Sequence, residues 1–313
     1  MKQGEPALDA ALSSRLGSTR NGQPLSFNRA PAADIAPWVG RLYAAVVDMP
    51  QDYRLDCGLF YDAPVVRVQL RGDWKAETAD GAHAMGRSAL MFGAQTRYMP
   101  VSVVGSFTSV GFSLRAGTGH ALFGWKARDY LDRFVNCDEI GLPGAQILGQ
   151  LDQLDDPEAW FQTLESTIRI TIERMGSTPP DPITARFEMA ALIDPNFAVA
   201  DFAEDCGIPQ RRLERIVTRD FGLSPKQVLR RSRALDMAAQ LRGVGDSAEA
   251  EELLLRFYDQ SHLIREFTAL FGMAPSQLIT LPHPILTLAL ESRQARRLES
   301  DKRLAPGEKR PWE

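Results

Sequence analysis

Between Gln210 and Arg233 the chain carries Arg211, Arg212, Arg215, Arg219, Lys226, Arg230, Arg231 and Arg233 against only Glu214 and Asp220. That is a local charge of +6 in a 313-residue chain whose net charge is −4. Guanidinium groups at this density bind phosphate, and each can also fork onto guanine O6 and N7, a good pair contributing about 1–3 kcal/mol of discrimination. At about 100° per residue, a helix over Pro209 to Asp220 sets Leu213, Ile216 and Val217 on one side. Arg211, Glu214, Arg215 and Thr218 lie opposite, with Arg212 and Arg219 on the flank. An apolar strip facing the domain and an arginine strip facing outward is what entry into a major groove requires. Arg211 and Arg215 are the expected base readers, and Glu214 can accept from a cytosine amine. Arg212 and Arg219 are expected on phosphate, as are Arg230, Arg231 and Arg233 further along, and Gln210 joins the candidate contacts. A run of charge alone fits a solvated helical face equally well.

The elements around this helix decide between the two. Phe221-Gly222-Leu223-Ser224-Pro225 recurs as Phe271-Gly272-Met273-Ala274-Pro275, an offset of 50, and Leu213 and Arg215 recur as Leu263 and Arg265. Each copy reads as helix, turn, helix and a Gly–Pro stop, a duplicated small helical unit. In the first copy Ala203 suits a close helix contact, Gly207 a turn of positive φ, and Leu213 a buried position, the requirements of a helix-turn-helix. Val199 to Cys206 is then the support helix, preceded by a helix over Ile183 to Ile193. Ser224 as cap and Pro225 in the first turn start a helix that runs to about Leu241. At roughly 17 residues, or ~26 Å, it can hold two recognition helices about one DNA turn (~34 Å) apart.

The second copy reads Phe257-Tyr258-Asp259-Gln260-Ser261-His262-Leu263-Ile264-Arg265-Glu266-Phe267. With this stretch the chain resembles the DNA-binding domain of AraC/XylS-type transcriptional regulators, over roughly Thr184 to Leu278. The Asp259-Gln260-Ser261-His262 run followed by Arg265 and Phe267 is the most specific part. The resemblance implies two helix-turn-helix units joined by one long helix and reading neighbouring major-groove segments. It also implies that Gln260, Ser261, His262 and Arg265 contact bases or phosphate. Asp259 is a candidate cap, and Leu263, Ile264, Phe267, Leu270 and Phe271 form the inward face. The chain departs from the family where its support helix usually has Ala and its turn Gly, places that hold Glu252 and Arg256. A non-Gly residue at positive φ costs on the order of 1 kcal/mol, so this support helix is expected to be displaced or its turn remodelled.

The rest of the chain has another character. Val66, Val68 and Leu70 alternate with Arg67, Gln69 and Arg71, the pattern of a half-buried strand. Glycines at 72, 81, 86, 93, 105 and 117 punctuate further strand-like runs. Asp156 to Arg174 reads as an amphipathic helix whose Trp160, Leu164, Ile168 and Ile172 either pack on their own sheet or pair with a second copy. The expected fold class is α+β: a strand-rich N-terminal domain (a small antiparallel sheet or barrel plus helices) followed by an all-α tandem helix-turn-helix domain. The boundaries fall at 29–175 and 183–280, with a Gly/Ser/Pro linker at 176–182. Residues 1–28 read as a disordered segment. Residues 281–313 read as an extension, a short helix over Ile285 to Leu298 and then a flexible polar tail.

Cys57, Cys137 and Cys206 are odd in number and lack metal-ligand spacing, which fits a reducing compartment and neither a disulfide scaffold nor a zinc site. His83 and His120 have no spacing partner, so no catalytic constellation, cofactor or metal is expected. No apolar run approaches the ~18 residues that span a bilayer, which implies a cytoplasmic location without membrane contact. Trp38, Tyr53, Phe60, Tyr61, Trp74 and Tyr98 serve either as core or as the wall of a small-molecule pocket. The reading is a sequence-specific DNA-binding transcriptional regulator, not an enzyme. Its N-terminal domain, as the resemblance implies, senses an effector or dimerises. Double-stranded DNA is the first partner, and RNA polymerase, a small-molecule effector and a second copy of the chain are compatible further ones. The alternative is a small-molecule-binding or scaffold protein whose degenerate helical domain contacts protein.

Overall fold

The computed structural model describes residues 5–246 and 261–313. Its longest strand is β8 (Met99–Leu114), rich in valine and phenylalanine. β8 pairs antiparallel with β3 (Val39–Asp48), β4 (Arg54–Leu59) and β5 (Val65–Thr78). β5 also carries β6 (Gly81–Met85) and β7 (Ser88–Phe92), and β7 pairs with β9 (Phe134–Asn136). β1 (Ser13–Ser14) and β2 (Phe27–Arg29) both pair with β3. Among the described residues these nine strands form one antiparallel sheet, as the alternating pattern predicts. Gly72, at φ +106°, sits in the register shift between Arg71 and Asp73, where β5 bends against β8.

Helices cover both faces of this sheet. On one side lie α1 (Thr118–Phe123), α2 (Gly144–Leu151) and α3 (Pro157–Arg174). The Asp156 carboxylate caps α3 by accepting from the Ala159 N–H at 2.8 Å. Trp160, Leu164, Ile168 and Ile172 are buried against Val66, Val68, Val110 and Phe112. The apolar stripe of α3 therefore packs on its own sheet and is not free to pair with a second copy.

The opposite face departs from the sequence pattern. Arg67 and Gln69, read as the wet side of a half-buried strand, are 3% and 0% exposed. What covers them comes from the far end of the chain: α7 (Pro225–Leu241) and a C-terminal helix, here α10 (Pro284–Ser300). Ile285, Leu286 and Leu290 of α10 bury with Leu55, Leu59, Trp74 and Phe107 of the sheet half and with Leu235 and Ala238 of α7. Phe60 and Trp74 belong to this core, whereas the Trp38 indole donates to the Thr178 carbonyl and the Tyr53 hydroxyl to Asp9.

Two segments read as loose are fastened to the same face. Over residues 5–28, expected to be disordered, Leu25 is buried, the Ala7 N–H donates to the Ile279 carbonyl at 2.7 Å, and the Gln23 side-chain oxygen accepts from Arg242 at 2.7 Å. The expected flexible tail ends with Trp312 buried and with Arg310 paired to Glu291 and donating to the Asn28 carbonyl. Isolated buried apolar residues together with polar and backbone contacts hold both segments, and such anchors leave no hydrophobic periodicity in a sequence.

Glu188 joins the layers. It accepts from Arg115 at 2.8 Å and from Arg296 of α10 at 2.9 Å. Burial pushes its carboxyl up, but the charges of Arg296 and Arg115 outweigh that and hold it below the ordinary 4.5. Its stabilisation is therefore complete above that value and is lost as pH falls through the lower folded-state pKa. Glu188→Gln takes the counter-charge from two half-buried guanidinium groups and should lower stability by about 3 kcal/mol in urea unfolding at pH 7. The same variant should unfold with a flatter acid limb than the parent.

Candidate nucleic-acid interface

The first reading unit is built as its residue spacing demands. α4 (Pro182–Ile193), α5 (Val199–Asp205), α6 (Gln210–Phe221) and the start of α7 close around Phe187, Ala203, Leu213, Val217 and Val228. Gly207 turns the chain between α5 and α6 at φ +65°, and Gly222 ends α6 at φ +72°. Ser224 then caps α7 reciprocally with Gln227. Across the repeat, Gly272 ends α8 (Ser261–Phe271) at φ +68° before α9 (Pro275–Thr280).

The outward face of α6 presents Gln210, Arg211, Arg212, Glu214, Arg215, Thr218 and Arg219, all exposed. Gln210 donates to Glu214 at 2.9 Å across one turn. Among the described residues the guanidinium groups of Arg211, Arg212 and Arg215 have no hydrogen-bond or ion-pair partner. Arg219 differs: it pairs with Asp220 at 2.7 Å and with Asp181 at 3.3 Å, and these carboxylates raise its pKa. Asp220, buried, in turn accepts from the Thr184 hydroxyl. Arg219 thus bolts α6 to α4 as well as bordering the face.

The long helix keeps its expected 17-residue length but not its expected exposure. Arg231, read as a backbone grip, is 2% exposed and donates to the carbonyls of Gln95 at 2.9 Å and Asp62 at 2.6 Å. Burial draws its pKa down to about 10. Arg233 donates to the Pro195 carbonyl, and Arg230 pairs with Glu266 of α8 at 3.2 Å. Arg231 is therefore an internal brace, because the helix that looked like a free strut is a wall of the core shared with the sheet.

In the second unit, Glu252, Arg256, Asp259 and Gln260 lie outside the described residues. Ser261 and His262 open α8, with only their backbone described. Arg265 and Thr268 are exposed, while Phe267 and Phe271 are buried and Leu263, Ile264 and Leu270 pack partly buried against them. The end of α8 rests on the sheet domain: Phe271 meets Phe60 edge-on at 5.0 Å, and the Tyr98 N–H donates to the Leu270 carbonyl at 2.8 Å.

The first unit is a helix-turn-helix whose second helix turns arginines outward, the geometry of a DNA reader, and residues 202–280 match the family model described as a helix-turn-helix domain. This C-terminal part of the chain is therefore a helix-turn-helix domain. No curated protein matches the chain. Among solved structures, ToxT from Vibrio cholerae is similar at 11% identity and a TM-score of 0.44 over 76% of this chain and 97% of that one. ToxT with an unsaturated fatty acid bound gives 12% and 0.42 over 77% and 95%. The AraC-like transcriptional activator CuxR gives 12% and 0.29 over 62% and 76%.

Gly207 has open space where a Cβ would stand, so Gly207→Ala should cost only the left-handed backbone penalty, about 1 kcal/mol in chemical denaturation. Arg215→Ala should relax preference at one base position by about 1–3 kcal/mol across a panel of duplexes. Arg219→Ala should weaken all duplexes about equally and also lower the unfolding midpoint, because it releases Asp220.

Proposed function

We propose that the protein is a sequence-specific transcriptional regulator that inserts α6 and α8 into successive stretches of one duplex, and that its sheet domain takes up a small-molecule effector. The observation that carries this reading is the trio Arg211, Arg212 and Arg215: three exposed guanidinium groups on one helical face with no internal counter-ion. Long side chains of one sign, left unpaired at the front of a helix-turn-helix, await a polyanion. The acid balance of the whole chain, −4, places negative charge elsewhere and so favours a single orientation on DNA. A protein-contact domain would call for an apolar patch on this face, and α6 presents only polar and charged groups there. Contact with RNA polymerase, pairing of two copies on adjacent half-sites and a cytoplasmic location fall within the same proposal. No described helix is long and apolar enough to cross a membrane.

Fluorescence anisotropy with a labelled genomic duplex, titrated from low to high salt, tests it. Affinity should fall linearly on log–log axes with a slope of about −0.9 per phosphate contacted. Replacing Arg211, Arg212 and Arg215 together by Ala should make that slope shallower by about one, through Arg212, and flatten the preference among duplexes, through Arg211 and Arg215, while leaving the circular dichroism spectrum unchanged. A wild-type chain that retains no duplex even at low salt would end this reading in favour of the protein-contact alternative.

A further inference from the structure

Between the sheet and α10 lies a cavity floored by Tyr43, Arg67 and Ser109, flanked by Tyr61, and roofed by Leu288 and Arg293. Four arginines line it, and three are matched. Arg41 pairs with Glu299 at 2.8 Å, Arg293 with Asp62 at 2.7 Å and Asp236 at 2.5 Å, and Arg296 with Glu188 at 2.9 Å. Arg67 is the exception. It is buried, donates Nε to the Ser109 hydroxyl at 3.1 Å and lies 4.0 Å over the Trp74 ring, but among the described residues no carboxylate pairs with it. Aromatic and hydroxyl contacts offset only part of the desolvation of a buried cation.

The groups beside it lack partners too. The Tyr43 hydroxyl and Arg293 Nη2 are buried without any hydrogen-bond partner. Burial, then the neighbouring Tyr61, push the Tyr43 phenol well above its ordinary value, so it stays a donor at neutral pH. The site thus offers donors and, in Arg67, a guanidinium with no carboxylate in contact, while the one carboxylate in the wall, Asp62, is already held by Arg293. Ala45, Val65, Phe107 and Ile285 make the rest of the wall apolar. The cavity volume is about 80 Å³, several times the 10–15 Å³ that one water requires.

We propose that this cavity binds a small monocarboxylate, whose charge balances Arg67, whose oxygens accept from Arg67 and Tyr43, and whose short apolar body lies between Phe107 and Leu288. This rests on the effector-binding reading above and gives it a ligand class and a lever. The ligand touches the sheet and α10 at once, and α10 is tied by Arg293 to Asp236 of α7 and by Arg296 to Glu188 of α4. Occupancy therefore clamps the sheet to the helices that carry the DNA-reading face. One cation without a carboxylate contact selects one negative charge, which disfavours phosphate dianions and neutral isosteres alike.

Isothermal titration of the full chain with benzoate and hexanoate, against benzyl alcohol, 1-hexanol and inorganic phosphate, tests the proposal. Both acids should bind at least tenfold more tightly than the matching alcohol, and phosphate should not compete. Arg67→Met should abolish that preference. Its ligand-free form should melt no lower than the parent, since the charge without a carboxylate contact is gone. Tyr43→Phe, which keeps the charge and the ring, should weaken the acids several-fold and leave their preference over alcohols in place. Alcohols binding as well as acids, phosphate displacing benzoate, no acid binding at all, or an Arg67→Met variant that keeps the preference would each overturn the assignment. Duplex anisotropy on the same samples separates the two readings. Lost acid binding with intact duplex binding removes this site alone, and the reverse removes the DNA-reading function alone.

Discussion

A helix with five charged side chains lies in the middle of this protein, and the rest is arranged so that each charge is answered. Along α10, Glu291 meets Arg310, Arg293 meets Asp62 and Asp236, and Arg296 meets Glu188. Arg297 donates to the Ile193 carbonyl and Glu299 meets Arg41. Those partners come from the chain terminus, the loop after β4, α7, α4 and β3. Burying a charge whose partner is missing costs several kcal/mol, more than most apolar contacts contribute. The electrostatics of one helix thus oblige distant segments to converge.

That obligation explains why the two halves share a core. One apolar cluster joins Leu55, Trp74 and Phe107 of the sheet half to Leu235, Phe271 and Leu286 of the helical half. The Gly/Ser/Pro stretch after α3 marks a change of secondary structure without parting the molecule into two separately packed bodies. Arg242 shows the same principle on a small scale. Fully buried, it reaches Thr287, the Leu278 carbonyl and Gln23, and burial lowers its pKa to about 10.

What was legible in the sequence was whatever local geometry encodes. The repeat at an offset of 50, the turn at Gly207, the Ser224 cap and the inward face of α6 all depend on neighbours within a few residues, and each stands where the spacing puts it. The apolar stripe of α3 was equally plain, though its spacing could not say which surface it would meet. Partners far away in the chain were not legible. Arg67 and Gln69 alternate with valines as solvent-facing residues do, and nothing near them announces a roof some 220 residues later. Arg231 looked like its neighbours in a basic run, but its turn of α7 faces Gln95 and Asp62. Tyr43 carried no motif at all. The one available signal was arginine among valines in a strand flanked by aromatics, a hint of a polar group held indoors.

The seat of the first reading helix has a mechanical meaning. A Cβ at Gly222 would stand 2.9 Å from the backbone nitrogen of Arg128, so the C-terminal end of α6 abuts the sheet domain, while Gln210 to Arg212 at the other end project freely. With Leu213 and Val217 in the core it shares with α4 and α5, α6 pivots only together with that unit, about the contact at Gly222. A tilt of about 3° there carries Arg211, ~16 Å away, by roughly 0.9 Å, comparable to the tolerance of a forked guanidinium contact. A shift of the sheet domain against this contact would thereby reach the DNA-facing tip without any separation of the two halves.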